Sequence, residues 1–356
     1  MRRSSIQTSL RKRNNVALAY GFALVLLVVA MFLGVAVGSV PISFATILDV
    51  CAAQFFPRQF ASEADPMVAN IVWYIRLPRV VLAALVGASL SLAGAAFQGL
   101  LKNPLADPYT LGVSSGASVG AVVVLFFGLS LPLFGSFTLP FVSVIAGFVT
   151  LLAVLAFARF VERALSVQTI VLTGIIFSSF CGSLISLMIA LTGEELRQII
   201  GWLLGSVAMR GWEYVALLVP FFAFGAAILL ANGKELNALA FGEETAQQLG
   251  VDVRLRKMAI LAGASLLTGA AVAVSGTIGF VGLVMPHLTR LLWGPDHRHL
   301  LPLAMLHGGA FLAMADLAAR TIVAPQELPI GVITALIGAP VFAVVFWQQR
   351  KRGKQG

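Results

Sequence analysis

The sequence predicts an all-α, polytopic membrane protein of about ten transmembrane helices, carrying an internal repeat whose two copies run in opposite directions. Hydrophobic residues make up 59% of the 356 and charged residues only 11%, too few charges to coat a soluble core of this size. Apolar runs of about 20 residues recur along the whole length, the span of a bilayer core. A small-residue pattern also occurs twice: Leu85, Gly87, Ala88, Gly94, Leu101 and Pro104 reappear 182 positions later as Leu267, Gly269, Ala270, Gly276, Leu283 and Pro286.

Taken in order, the chain opens on a basic segment, residues 1–16, followed by an apolar run at 17–38. That run has no small-residue cleavage site after it, so it reads as a span and not as a removable signal peptide. The second span, 80–101, is rich in Gly and Ala and ends in the Pro-broken turn NPLADPYTLG, Asn103 to Gly112. Spans follow at 111–128, 140–158, 168–191 and 213–231. The segment at about 232–256 is polar, and helix-prone from Glu243 to Leu249 between the boundary residues Gly242 and Gly250. Spans at 257–274 and 278–293 meet where Gly276 and Gly279 crowd their junction. The last two, 300–322 and 331–347, complete a transmembrane domain of residues 17–347, and a basic tail closes the chain at 348–356. Gly87, Gly94 and Gly99, Gly112, Gly116 and Gly120, and Gly263 and Gly269 suit helices whose backbones approach closely, because lipid supplies no hydrophobic drive for association.

Basic residues set the orientation. With ten alternating spans, Arg58, Arg76, Arg79, Arg197, Arg210 and Arg320 fall on one side and the other 18 of the 24 Lys and Arg on the side of both termini. That asymmetry places both termini in the cytoplasm and makes the two repeat copies antiparallel, a transporter habit. The net charge of +9 does not indicate nucleic acid, since the basic residues lie between apolar segments and not on one face. Cys51, in a loop-like region, and Cys181, inside a span, read as unpaired small hydrophobes.

Several constellations carry weaker signals. Arg76 and Arg79 stand in RLPR at the outer mouth of the second span, and Arg320 follows Asp316 by four residues, a spacing that also suits a helix-stabilising bridge. His297 and His299 flank Arg298 and read as a solvated turn, because two ligands without a nearby carboxylate or thiol do not make a metal site. His287 reads as bonded to backbone and His307 as structural. No metal or cofactor is expected. No G-x-x-x-x-G-K-[ST] loop is present, so any ATP-derived energy must come from another subunit. Acidic residues are almost missing from the spans, which argues against an ion-coupled secondary transporter, and no converging polar set points to a membrane enzyme.

Six blocks give the chain a family resemblance: RLPR (76–79), QGLLKNPLADPYTLGVSSGA (98–117), LRQIIGWLLGS (196–206), AFGEETAQQLGV (240–251), SGTIGFVGLVMPHLTRLLWGPDHR (275–298) and ELPIGVITALIGAPVF (327–342). Over nearly its whole length it resembles FecCD-type permeases, the membrane subunits of type II ATP-binding-cassette importers for haem, ferric siderophores and cobalamin. The resemblance implies a non-catalytic subunit of the bacterial inner membrane that pairs with a second copy around a central pathway. Two cytoplasmic ATPase subunits dock beneath it and a periplasmic substrate-binding protein above it, with a metal chelate in transit. Haem or a ferric siderophore is the expected cargo, and cobalamin the alternative. By the same resemblance Asn103 and Leu105 match a cytoplasmic gate, while Thr192 and Gly193 match a fifth-helix gate. Gly193 departs there from the larger or hydroxyl residue expected. Gly242, Glu243, Ala246, Leu249 and Gly250 match the coupling helix that meets the ATPase. Arg76, Arg79 and Arg320 match positions that pair with acidic residues of the binding protein. The basic N-terminus is longer than the family requires.

Overall fold

A computed structural model describes residues 2–38, 40–56, 64–163 and 166–352, and among them there is no β-strand. In chain order the helices are α1 (Arg2–Ala36), α2 (Phe44–Phe55), α3 (Pro66–Asn70), α4 (Leu77–Leu100), α5 (Val113–Phe126), α6 (Thr138–Val161), α7 (Val167–Leu191), α8 (Leu196–Leu203), α9 (Trp212–Ala231), α10 (Gly233–Ala240), α11 (Glu243–Gln248), α12 (Val253–Ser275), α13 (Val281–Trp293), α14 (His297–Thr321) and α15 (Ile330–Arg352). Arg58 and Lys354, both used to orient the chain, lie outside the described residues, as does the tail beyond Arg352.

Each expected span falls on one helix, but the helices are not equally long. Seven described stretches are long and apolar enough to cross a membrane, whereas Val113–Phe127 and Ile330–Val344 are shorter. The 13-residue α13 reaches only about 20 Å at 1.5 Å per residue, against a hydrocarbon core of about 30 Å. The ten expected spans therefore comprise seven long apolar helices, the 23-residue α15, and the shorter α5 and α13. Short spans are tolerated where protein covers the adjoining non-helical backbone. The second span also starts earlier than expected. A helical run extends from Pro66 to Leu100 and is interrupted by a wide π-type turn at Ile71–Arg76. Pro78, just after it, has no N–H, and its ring would clash with a carbonyl four residues back, so the turn widens there.

Side-chain contacts give the direction of each helix. Arg79 reaches Asp316 at one end of α4, and Gly99 lies beside His297 at the other, so α4 and α14 are antiparallel. Tyr20 meets His299 and Arg320 meets Gly34, which makes α1 parallel to α14. Arg256 on α12 reaches Asn232, and Asn237 reaches Asp296, so α12 starts at the end where α14 starts and where α4 finishes. The helices of the repeat, α4 and α12, therefore run in opposite directions. Their residue correspondence is looser than the sequence pattern implied. Gly94 sits inside α4, whereas Gly276 terminates α12 with a φ of 71°.

Helix α4 is the hub of the bundle. Of the apolar window in the run containing it, 89% is buried, against 11% for α7, which leaves α7 on the outside. A side chain at Gly87 would run into the carbonyl of Gly308, and one at Gly94 into the carbonyl of Gly282. Ser91 Oγ donates to Ala304 O at 2.6 Å and closes the same seam.

Gly94→Ala gains up to about 1 kcal/mol of helix propensity, but the colliding carbonyl belongs to the backbone of α13 and cannot rotate away. A net loss of about 2 kcal/mol in thermal unfolding of the purified protein is expected. Gly21→Ala, in a position with nothing within 4 Å, is expected to lose nothing.

Candidate functional site

The two ends of the bundle carry different chemistry. At the end where α4 begins, two arginines meet two acids and a third arginine binds backbone. Arg79 holds Asp316 at 2.9 Å and Glu327 at 2.8 Å, and Arg320 approaches Asp316 at 3.5 Å. The Asp316 side chain is fully buried, and Arg79 keeps only 11% of its surface exposed. Arg76 is used differently. Its guanidinium donates to the carbonyls of Val35 (2.8 Å), Ala36 (3.2 Å) and Val40 (2.6 Å), pinning the chain after α1. The sequence offered Asp316–Arg320 as an i, i+4 bridge, but the closer bond is the long-range one to Arg79. Spacing along the chain cannot show a contact 237 residues apart.

At the opposite end α4 finishes in a left-handed Lys102 (φ 49°), with Asn103 N bonded back to Gln98 O at 3.2 Å. Asn103 Oδ1 then accepts from Leu105 N at 2.9 Å, a side-chain-closed turn that leaves Leu105 44% exposed. Asp107 caps the next turn by accepting from Tyr109 N at 3.0 Å. Burial pushes its carboxyl from 3.8 up to about 6, only partly offset by that bond. The Tyr109 hydroxyl donates to Ile278 O at 2.9 Å and accepts from Ile278 N at 3.1 Å, clasping the turn to the α12–α13 junction. Thr192 caps α7, its hydroxyl donating to Met188 O at 2.6 Å, and Gly193 beside it is exposed with open space around it. Ile170, near the start of α7, lines a pocket with Glu243 and Lys257, so α7 starts at the end where α12 starts and Thr192 stands toward the opposite end from Asn103.

The polar segment after α9 forms two helices. Helix α10 is the one the sequence reading passed over, and its signal was the i, i+3 pair Leu236 and Leu239, both buried. Helix α11 fills the expected interval between Gly242 (φ 122°) and Gly250 (φ 84°). Ala246 is buried beneath it and Leu249 stands 66% exposed. Glu243 bonds Lys257 at 2.9 Å, tying α11 to the first turns of α12. A Cβ built on Gly242 would stand about 4.0 Å from Lys102 Nζ, so α11 and the Asn103 turn adjoin.

The histidines differ from their sequence reading. His297 is buried and not part of a solvated turn: it packs over Gly99, and its Nδ1 stands 2.9 Å from Asn237 Oδ1. His307 bonds Thr289 at 3.1 Å, as a structural residue would. Arg298 holds Asp296 well below the usual carboxylate range through paired hydrogen bonds. Cys51 lies within α2 and not in a loop, and both thiols are free. Among the described residues no group of three His, Cys, Asp or Glu side chains is placed to hold a metal.

The profile of the FecCD transport family matches residues 26–348. The chain belongs to the FecCD transport family. An uncharacterised ABC transporter permease protein of Bacillus subtilis, YvrB, is 60% identical over 98% of both chains. The cobalamin import system permease of Halobacterium salinarum is 44% identical over 80% of this chain and 75% of its own. The hemin transport system permease of Yersinia pestis is 37% identical over 94% and 97%. A solved structure assigned to the metal-chelate type of ABC transporter, in an inward-facing conformation, superposes with a TM-score of 0.79 at 35% identity, covering 93% of this chain and 99% of that one. The all-α permease fold of an ABC importer is thereby established, and the FecCD chain is a membrane component of such a transporter.

Asp316→Asn should cost about 3–5 kcal/mol of stability, because it leaves Arg79 buried against an uncharged partner. Glu327→Gln, at a half-exposed site, should cost less than about 1 kcal/mol. In a double-mutant cycle Arg79→Gln with Asp316→Asn should lose less than the sum of the two single changes. Asp107 makes a separate pH signature. Its folded pKa is raised, so its contribution to stability is full below about 4 and is lost as pH rises through about 6. Melting temperature should fall across that window in the natural chain, and Asp107→Asn should flatten the slope.

Proposed function

We propose that this FecCD chain, as a homodimer, carries an iron chelate inward across a bacterial inner membrane, the chelate being haem or a ferric siderophore. Two cytoplasmic ATPase subunits drive it and a periplasmic binding protein supplies it. The observation that carries the reading is the adjacency of α11 to the Asn103 turn. A helix held by the Glu243–Lys257 ion pair, presenting Leu249 outward, sits against the residue next to Asn103. Closure of an ATPase pair under α11 would thus reach the gate through Gly242 and Lys102. Glu243, Ala246 and Leu249, bounded by Gly242 and Gly250, make the coupling element. Asn103 and Leu105 make the cytoplasmic gate, with Thr192 and Gly193 the gate toward the other side.

This reading puts the end rich in Lys102, Lys257, Arg256, Arg290 and Arg298 in the cytoplasm, in line with the bias of basic residues. The arginine end then faces the periplasm. There Arg79 and Arg320 would exchange Asp316 and Glu327 for acidic side chains of the binding protein, with Arg76 holding their scaffold. Asp316, the acid inside the α14 span, is held by arginines, which supports ATP over an ion gradient as the driving force. Cobalamin is the second reading, favoured by the 44% identity to a permease named for it.

Right-side-out vesicles containing this chain, its ATPase and its binding protein, with ATP inside, should accumulate haemin or a ferric siderophore. Accumulation of cobalamin alone would replace the cargo, and uptake that follows an ion gradient without ATP would overturn the importer reading. Leu249→Asp should reduce transport at least about tenfold while leaving the chain folded, since its side chain is 66% exposed just after α11.

A further inference from the structure

Between the end of α4 and α13, against the Asn103 turn, lies a cavity of about 290 Å³ lined by Gln98, Gly99, Lys102, His287, Arg290 and His297. Its charge is unbalanced. Arg290 donates one N–H to Gln98 Oε1 at 3.1 Å, and Gln98 is fixed in turn by donating to Leu283 O at 3.0 Å. Among the described residues neither Arg290 nor Lys102 has an acidic partner. The nearby carboxylate that might have served, Asp296, is occupied by Arg298 at 2.5 Å and Asn237 at 2.7 Å. The part-buried guanidinium of Arg290 left uncompensated is costly unless an anion joins it, and the exposed Lys102 adds a second positive charge at the mouth.

His297 narrows the chemistry. Its Nδ1 faces Asn237 Oδ1, an atom that only accepts, while Asn237 Nδ2 is committed to Asp296. The hydrogen therefore sits on Nδ1, and Nε2 is a buried acceptor with no partner. A guanidinium and an ammonium beside a bare acceptor suit an oxyanion that still carries a proton. Chloride offers no proton to Nε2 and gains nothing from the fork of Arg290.

We propose that this cavity binds a phosphate-type oxyanion through Arg290 and Lys102, with His297 Nε2 accepting the anion's hydroxyl hydrogen. Lys102 directly precedes Asn103, so the bound anion lies on the flank of the gate turn. Resting on the importer reading, the site holds free phosphate on the cytoplasmic side, beside the gate the cargo passes. The binding site itself does not depend on that reading.

The test is calorimetric titration of inorganic phosphate into the full chain in zwitterionic nanodiscs, at fixed ionic strength set by chloride. Saturable binding is expected, weakened about tenfold or more by Arg290→Gln and by Lys102→Gln. Lys102 is exposed and bonds nothing the fold requires, so its variant remains informative if Arg290→Gln misfolds. No saturable binding to the natural chain, or unchanged binding by the Lys102 variant, would overturn the site. A second series with phosphatidate, whose phosphomonoester keeps a proton near neutral pH, in the disc identifies the source. Competition with phosphate assigns the site to a phosphomonoester lipid headgroup, and no competition assigns it to free phosphate; the site stands in both cases. Phosphate binding in a chain that accumulates no chelate with ATP would remove the importer reading and leave the site. ATP-driven uptake with phosphate binding unaffected by both variants would do the reverse.

Discussion

Everything in this bundle depends on how closely α4 can approach its neighbours. In lipid no hydrophobic force draws helices together, so van der Waals fit and polar bonds between helices must do so. Gly87 against Gly308 and Gly94 against Gly282 bring backbone to backbone on two sides of one helix. Ser91 to Ala304 and Gln98 to Leu283 add hydrogen bonds across the same seams. A larger residue at either glycine would separate α4 from the short α13, and with it the turn that follows α4 from the junction that precedes α13.

That junction is where the architecture departs from simple spans. Residues 276–280 are non-helical, so their polar groups need partners from elsewhere in the protein. They and their neighbours find them: Ser206 N bonds Ser275 O at 2.7 Å, Ile330 N bonds Gly205 O at 3.0 Å, and Tyr109 takes both groups of Ile278. Three breaks in the helical pattern are thereby joined, between α8 and α9, between α12 and α13, and before α15. The Asn103 turn is coupled to them through Tyr109. From the Asn103 turn a covalent and hydrogen-bonded route thus runs through Tyr109 to the broken centre of the bundle.

How much was legible depended on whether a signal was local. Gly242 and Gly250 bracketed α11 because positive φ is a local demand that glycine meets and other residues do not. The Asn103 turn was readable for the same reason, its Asn, Pro and Asp each acting within a few residues. His297 was misread as solvated because burial comes from α10 and α4, which approach it from far along the chain. The pairing of Arg79 with Asp316 and Glu327 was not legible, because both acids come from more than 230 positions away. Helix α10 was missed because a polar average over the segment concealed two buried leucines.

The sequence by itself determined the helical class, the family, the near positions of the spans and the small residues at their seams. These follow from hydropathy, glycine placement and short motifs, which act over one helix or one turn. Only the tertiary structure decided which spans are short, which arginines are already paired, and that Lys102, Arg290 and His297 share one cavity. Those outcomes are set by antiparallel packing that joins residues hundreds of positions apart, and a buried charge is balanced by whatever charge the fold brings beside it.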